Sequence, residues 1–150
     1  MVFRGVEQVE QAVHEEGHNF IFLYLGHYCN WEWIASLPYT ISPSIHCAQI
    51  YHPLYNKAVD RFFLKLRNQF GGECIPMKNT LRRVIELKRE KRPTMIGFIS
   101  DQLPKWNSMH FFVPFLHRET AVFTGAEQIG RQVKAVYFFC RYHSSPQRLL

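Results

Sequence analysis

A chain of 150 residues fits one domain, and 47% hydrophobic residues, including 13 Phe and 7 Tyr, supply enough apolar surface for a full core. That composition excludes a disordered segment. The net charge of +6, from 18 Lys+Arg against 12 Asp+Glu, leaves every anionic partner open: phosphate, an anionic membrane, an acidic protein or nucleic acid. Cys29, Cys47, Cys74 and Cys140 form no CxxC pair, which speaks against a zinc knuckle or disulfide scaffold and fits reduced thiols in the cytosol. No stretch reaches the ~18 apolar residues of a membrane-spanning helix, and Met1–Arg4 begins no signal-peptide core.

In chain order, Glu7–Glu16 reads as a polar helix with Val9 and Val13 at helical spacing, stopped at Gly17. Asn19–Leu25 reads as a buried strand. His27–Cys29 is a turn, and Asn30 is placed to cap a helix through Trp31 to about Leu37, ended by Pro38. Cys47–Tyr51 is a second strand. The best helix is Leu54–Phe70, where Leu54, Ala58, Phe62, Leu66 and Phe70 recur every fourth residue and Val59 and Phe63 widen the stripe. Gly71-Gly72 ends it, and Glu73–Ile75 is a short strand.

A helix capped by Asn79 or Thr80 follows, with its basic tail stopped by Pro93. Thr94–Ile99 is strand-like, 101–108 a polar loop, and Phe111–Leu116 an apolar run broken by Pro114. Thr124–Val133 reads as a helix and Ala135–Arg141 as a last strand. Strands alternating with helices indicate an α/β fold with a mostly parallel sheet flanked by helices. In such sheets ligands bind at the carboxyl ends of strands, where His27 and Asp101-Gln102 fall.

His27 and Glu32 carry the first chemical signal. The strand end and the first helical turn allow the carboxylate to fold back toward the imidazole. Imidazole titrates near ~6.5 and can take a hydroxyl proton, and a carboxylate on its other nitrogen fixes the tautomer. A bare H-x4-E spacing is weak by itself. Arg67 sits at the rim of the apolar stripe, as either a phosphate-binding or a solvated arginine. Asp101 and Gln102 either cap a loop or line the cleft, holding an acceptor or positioning His27. The tract Arg82, Arg83, Lys88, Arg89, Lys91 and Arg92 is a solvated face or a dock for anionic headgroups or an acidic carrier protein. A zinc reading of His27, Cys29 and Glu32 finds no further ligand pair at zinc spacing, and the other histidines (14, 18, 46, 52, 110, 117, 143) show none either. Cys29 stands two residues from His27, so an acyl-carrying thiol is a minor alternative.

The segment LGHYCNWEW resembles the first block of the lipid A biosynthesis lauroyl/myristoyl acyltransferase family, H-x-x-N-W-E after a glycine. That family lies within the lysophospholipid and glycerol-phosphate acyltransferase group, which shares H-x4-D/E. Tyr28 and Cys29 depart from the commoner residues after the histidine. Downstream, Tyr51–Lys57 is similar to the family's Tyr-Arg-Pro-x-x-Asn segment, with His52 at the usual Arg. Arg67, Asp101-Gln102, Phe112–Phe115 and Thr124-Gly125 follow in family order, so the resemblance spans about residues 20–140.

The resemblance implies a glycerol-phosphate/lysophospholipid acyltransferase-like fold. It implies acyl transfer from acyl carrier protein or acyl-CoA to a membrane-lipid hydroxyl, with His27 as base and Glu32 as its partner. Asn30, Arg67, Asp101, Gln102, Arg118 and Thr124 are the substrate-binding candidates, with no metal or cofactor. It also implies a longer protein, with a membrane anchor ahead of this catalytic core and further chain behind it, at the cytoplasmic face of the bacterial inner membrane. The reading from another class is a non-catalytic membrane- or lipid-binding domain of the same fold, against which intact His27 and Glu32 argue. Nucleic-acid binding rests on basicity alone, without a helix-turn-helix, RRM or zinc motif, and no nucleic-acid partner is expected.

Overall fold

Six consecutive apolar residues, Phe20–Leu25, form strand β1 at the middle of the architecture. Such a run is stable only where both sheet faces are covered. The computed structural model describes residues 2–142. In it β1 pairs in parallel with β4 (Thr94–Ile99) on one side and β7 (Val136–Phe139) on the other. Beyond β4 lie β2 (His46–Tyr51) and β3 (Glu73–Pro76), giving a five-stranded parallel sheet in the order β3-β2-β4-β1-β7. This is the α/β fold with a mostly parallel sheet that the alternation of elements predicted.

Alternation along β1 divides the core. Ile21 and Leu23 face α1 (Val6–His14) and a 3₁₀ helix over Trp31–Tyr39, in a cluster with Leu37, Ile41, Ile45 and Met95. Phe20 and Phe22 face α3 (Thr80–Glu90) and α4 (Gly125–Val133), with Val84, Leu87, Phe98 and Ala126. Helix α2 (Lys57–Asn68) flanks the β3 side and contains no buried residue.

Several sequence expectations need correction. The segment after His27 is 3₁₀ rather than α, it runs through Pro38 to Tyr39, and the Asn30 side chain makes no capping bond. Its first link is a tight one, Trp33 N–H to the Asn30 carbonyl at 3.0 Å. Helix α2 starts at Lys57, not Leu54, because Asn56 Oδ1 accepts from the N–H groups of Ala58 and Val59 at 3.0 and 3.3 Å. Pro53 stays outside the helix, and so does Phe70.

The apolar run Phe111–Leu116, broken by Pro114, is part of a larger element that takes in residues 112–121. That element is an antiparallel hairpin of β5 (Phe112–Phe115) and β6 (Arg118–Ala121). Its two-residue turn, Leu116-His117, has φ of 49° and 63°. A turn with two positive φ values normally advertises itself through Gly or Asn, and neither is present.

The helix α4 approaches the sheet through Gly130. A Cβ there would overlap the Tyr137 hydroxyl and stand 3.1 Å from Phe22 Cδ2. Gly130→Ala is expected to destabilise the fold by about 1–3 kcal/mol through overpacking, read as a lowered urea midpoint. An unchanged midpoint would mean that α4 can withdraw from β1 without cost.

Candidate active site

The parallel register brings the central pair together. Leu25 of β1 stands opposite Ile99 of β4, so the chain two positions on from each places His27 beside Asp101 at the carboxyl end of the sheet. Both carboxylate oxygens of Asp101 are used on that one residue. Oδ2 accepts from the His27 backbone N–H at 2.7 Å, and Oδ1 meets the ring Nδ1 at 2.7 Å. An ionised carboxylate only accepts, so Nδ1 carries the proton and Nε2 keeps its lone pair.

This grip depends on Gly26. An added Cβ at that position would stand 3.0 Å from Asp101 Oδ2. Burial acts to raise the Asp101 carboxyl, but the hydrogen bonds from the His27 ring and backbone outweigh it and hold the group below its ordinary value. The pairing therefore adds stability at pH above the ordinary carboxyl range, and that contribution fades as pH falls through the lowered value.

Glu32 is not on the His27 ring. Its two oxygens accept from Arg67, Oε2 from Nε at 3.0 Å and Oε1 from Nη2 at 2.5 Å. The expectation of a direct His27–Glu32 pair is corrected accordingly: Asp101 occupies Nδ1, and Glu32 is taken by a guanidinium fork whose planar geometry matches a carboxylate. The hydrogen bonds that Arg67 donates to Glu32 raise this already basic group further. Arg67 is likewise not a free rim arginine. Its guanidinium lies over Trp31 and Phe63, 5.9 and 5.4 Å from the ring centroids. Trp31 in turn meets His27 edge to face at 4.8 Å between centroids. Arg67, Glu32 and Trp31 thus form a frame beside the His27 ring, leaving Nη1 of Arg67 as the nitrogen outside the pair with Glu32.

The turn between β1 and the 3₁₀ helix is sharp. Tyr28 N–H reaches back to the Gly26 carbonyl at 2.8 Å, and Cys29 adopts φ 55°. Tyr142 closes the far side by donating to the Trp31 carbonyl at 3.3 Å. Burial, with Cys140 and Cys29 nearby, pushes that phenol up to about 12, so it stays a donor.

The remaining candidates separate. Asn30 and Gln102 are exposed at the same end of the sheet. Thr124 precedes α4, where its hydroxyl accepts from Gln128 Nε2 at 3.2 Å rather than capping the helix. Arg118 is exposed beside the hairpin turn, opposite Phe115.

Much of the basic tract is internally paired. Arg82 meets Glu86, Arg83 meets Glu73, Glu86 and Glu90, Lys88 donates to the Gln132 carbonyl, and Arg92 to the carbonyls of Pro43 and Ser44. Among the described residues, no group of three or more His, Cys, Asp or Glu side chains is arranged to hold a metal; His143 lies outside them. Sequence reading missed the contact of His46 Nε2 with Glu73 at 2.7 Å. Both residues begin strands, at the end of the sheet away from His27, and the 27 positions between them hid the pairing.

One more feature lies on the His27 face. A small apolar cavity of about 40 Å³ separates the 3₁₀ helix from the sheet, lined by Leu23, Ile34, Cys47, Met95 and Gly97 among others. Leu23 is four residues below His27 on the same side of β1, roughly 13 Å away along the strand. Burial pushes the Cys47 thiol up to about 11, so it lines this space as a neutral group.

The arrangement offers an oriented imidazole base, an open carboxyl end of a parallel sheet and an apolar recess on the same face. The family model of bacterial lipid A biosynthesis acyltransferases matches residues 1–147. A search of curated proteins gave no match.

Proposed function

Since the chain belongs to the bacterial lipid A biosynthesis acyltransferase family, we propose that it moves a fatty acyl chain from an acyl thioester, on acyl carrier protein or coenzyme A, to a hydroxyl of a membrane lipid of the lipid A precursor or lysophospholipid type. The observation that carries this reading is the Asp101-held His27 ring with Nε2 free at the strand end. Nε2 takes the acceptor hydroxyl proton as that oxygen attacks the thioester carbonyl. The tetrahedral intermediate collapses with loss of the thiolate, and the imidazolium returns the proton to it. Asp101 stabilises the imidazolium without taking the proton. No acyl-enzyme is needed.

Glu32 acts through Arg67 and Trp31, holding the aromatic wall against the His27 ring, while Arg67 Nη1 meets a phosphate of donor or acceptor. Asn30 and backbone amides of the Cys29–Trp31 turn are the candidates for the oxyanion. A donor on acyl carrier protein and a lipid acceptor together fit work at the cytoplasmic face of the inner membrane. The test is acylation of defined lipid acceptors by acyl carrier protein and coenzyme A thioesters, with product identified by mass. Absence of transfer from both donors to every acceptor class would remove the reading.

The small apolar cavity offers a test of whether the end of the donor chain reaches it. A Cβ on Gly97 would meet its nearest neighbours at 3.8 Å, ordinary contact distance, so Gly97→Ala folds normally while shortening the recess. The expected result is a shift of donor preference toward shorter acyl chains at unchanged thermal stability. An unaltered chain-length profile would place the acyl chain elsewhere.

A further inference from the structure

An amphipathic helix ordinarily turns its apolar stripe to the core. Helix α2 does the opposite. At 100° per residue, Val59, Phe62 and Leu66 share one side, and they are 41%, 63% and 40% exposed. The partly buried side is formed by Asp60, Phe63, Leu64 and Arg67. The inward side is the one that serves the site: Arg67 points to Glu32 and Trp31, and with Arg67 inward the strip lies outward.

The charges on the outward side are all of one sign. Arg61 and Lys65 are exposed along one edge of the apolar strip, and Lys57, also exposed, lies on the far side of the helix. The helix's only carboxylate, Asp60, is turned away and accepts from the Leu54 N–H at 2.8 Å. Tyr55, fully exposed, stands just ahead of the helix. An exposed apolar strip edged by cations uncompensated on their own helix is the pattern of a helix lying in the plane of an anionic bilayer surface.

We propose that α2 is an interfacial helix, laying Val59, Phe62 and Leu66 among the acyl chains of an anionic membrane while Arg61 and Lys65 meet lipid phosphates. The proposal rests on the reading of the acceptor as a membrane lipid. It deepens that reading by assigning the surface on which the enzyme sits: the same helix holds the site through Arg67, so docking sets the His27 end relative to the lipid plane.

The experiment uses the full chain and sedimentation with vesicles, either phosphatidylcholine alone or phosphatidylcholine with one third phosphatidylglycerol. The wild type is expected to bind the anionic vesicles at least tenfold more tightly than the neutral ones. Phe62→Ser with Leu66→Ser, and separately Arg61→Glu with Lys65→Glu, should each weaken that binding tenfold or more. Both variants should keep the wild-type circular dichroism and their turnover of a short-chain acceptor dissolved below its aggregation limit.

Vesicle binding that is absent in the wild type, or unchanged in both variants, overturns the proposal. So does a wild-type dimer that the Ser variant dissolves, because a second copy would then cover the strip. Loss of turnover on the dissolved acceptor would make the strip structural instead. Binding is read without catalysis, so vesicle binding lost in these variants in a protein that transfers no acyl group would leave the docking surface standing and remove only the reaction.

Discussion

Replacing His27 with alanine is expected to lower turnover roughly 10⁴-fold, the upper end for a single general base and about 5 kcal/mol of transition-state stabilisation. The argument is geometric. Of the two ring nitrogens, Nδ1 is committed to Asp101 at 2.7 Å, so Nε2 is the one group placed to receive the hydroxyl proton. No loss of fold should accompany the change. The His27 side chain is one-third exposed and lies outside both core clusters, so the stability change should stay within ~1 kcal/mol. Initial-rate assays with a saturating thioester, alongside thermal melting, test both halves. Near-normal turnover would end the mechanism in which His27 is the base.

The second large effect separates the two carboxylates. Asp101→Asn should cost on the order of 10³–10⁴ in kcat. Asparagine offers one acceptor where aspartate offers two, and His27 uses both, one on its backbone and one on its ring. The ring is then free to carry its proton on Nε2, where it cannot act as a base. Gly26→Ala should reproduce part of this loss, since its Cβ would press on Oδ2.

Glu32→Gln works by another route. It loosens the Arg67 fork, so Glu32→Gln, Arg67→Gln and the double variant should lose similar amounts, the mark of residues acting as one unit. The discriminating measurement is the nitrogen-15 spectrum of the His27 ring. The wild type should show a protonated Nδ1, Asp101→Asn should lose it, and Glu32→Gln should keep it. The reverse pattern would restore Glu32 as the partner of His27 in the working enzyme.

The local pattern of residues carried much of the architecture. Thr94–Ile99 coincides with β4, and Phe20–Leu25 lies within the expected strand, because buried central strands are runs of apolar residues that no other element explains as well. Helix starts were less legible: among the described helices only α2 has a side-chain cap, and that residue is Asn56, which moves the start from the expected Leu54 to Lys57. The β5–β6 hairpin escaped because Leu116 and His117 adopt a turn that sequence statistics assign to glycine and asparagine.

The chemistry at the strand end followed the same division. The alternation of elements was enough for an α/β fold with His27 at a strand end, and the resemblance carried by the order of motifs was enough for the acyltransferase family. Which carboxylate serves that histidine was decided by a parallel pairing across 74 positions, β1 against β4. Spacing within His27–Glu32 is a local property, whereas strand register is set by the whole sheet. Likewise, periodicity established that α2 has an apolar stripe, but not which way it faces. That was decided when Arg67 found Glu32 and Trp31, since a guanidinium drawn into a paired, aromatic-walled position outweighs the turning of one exposed stripe toward the core.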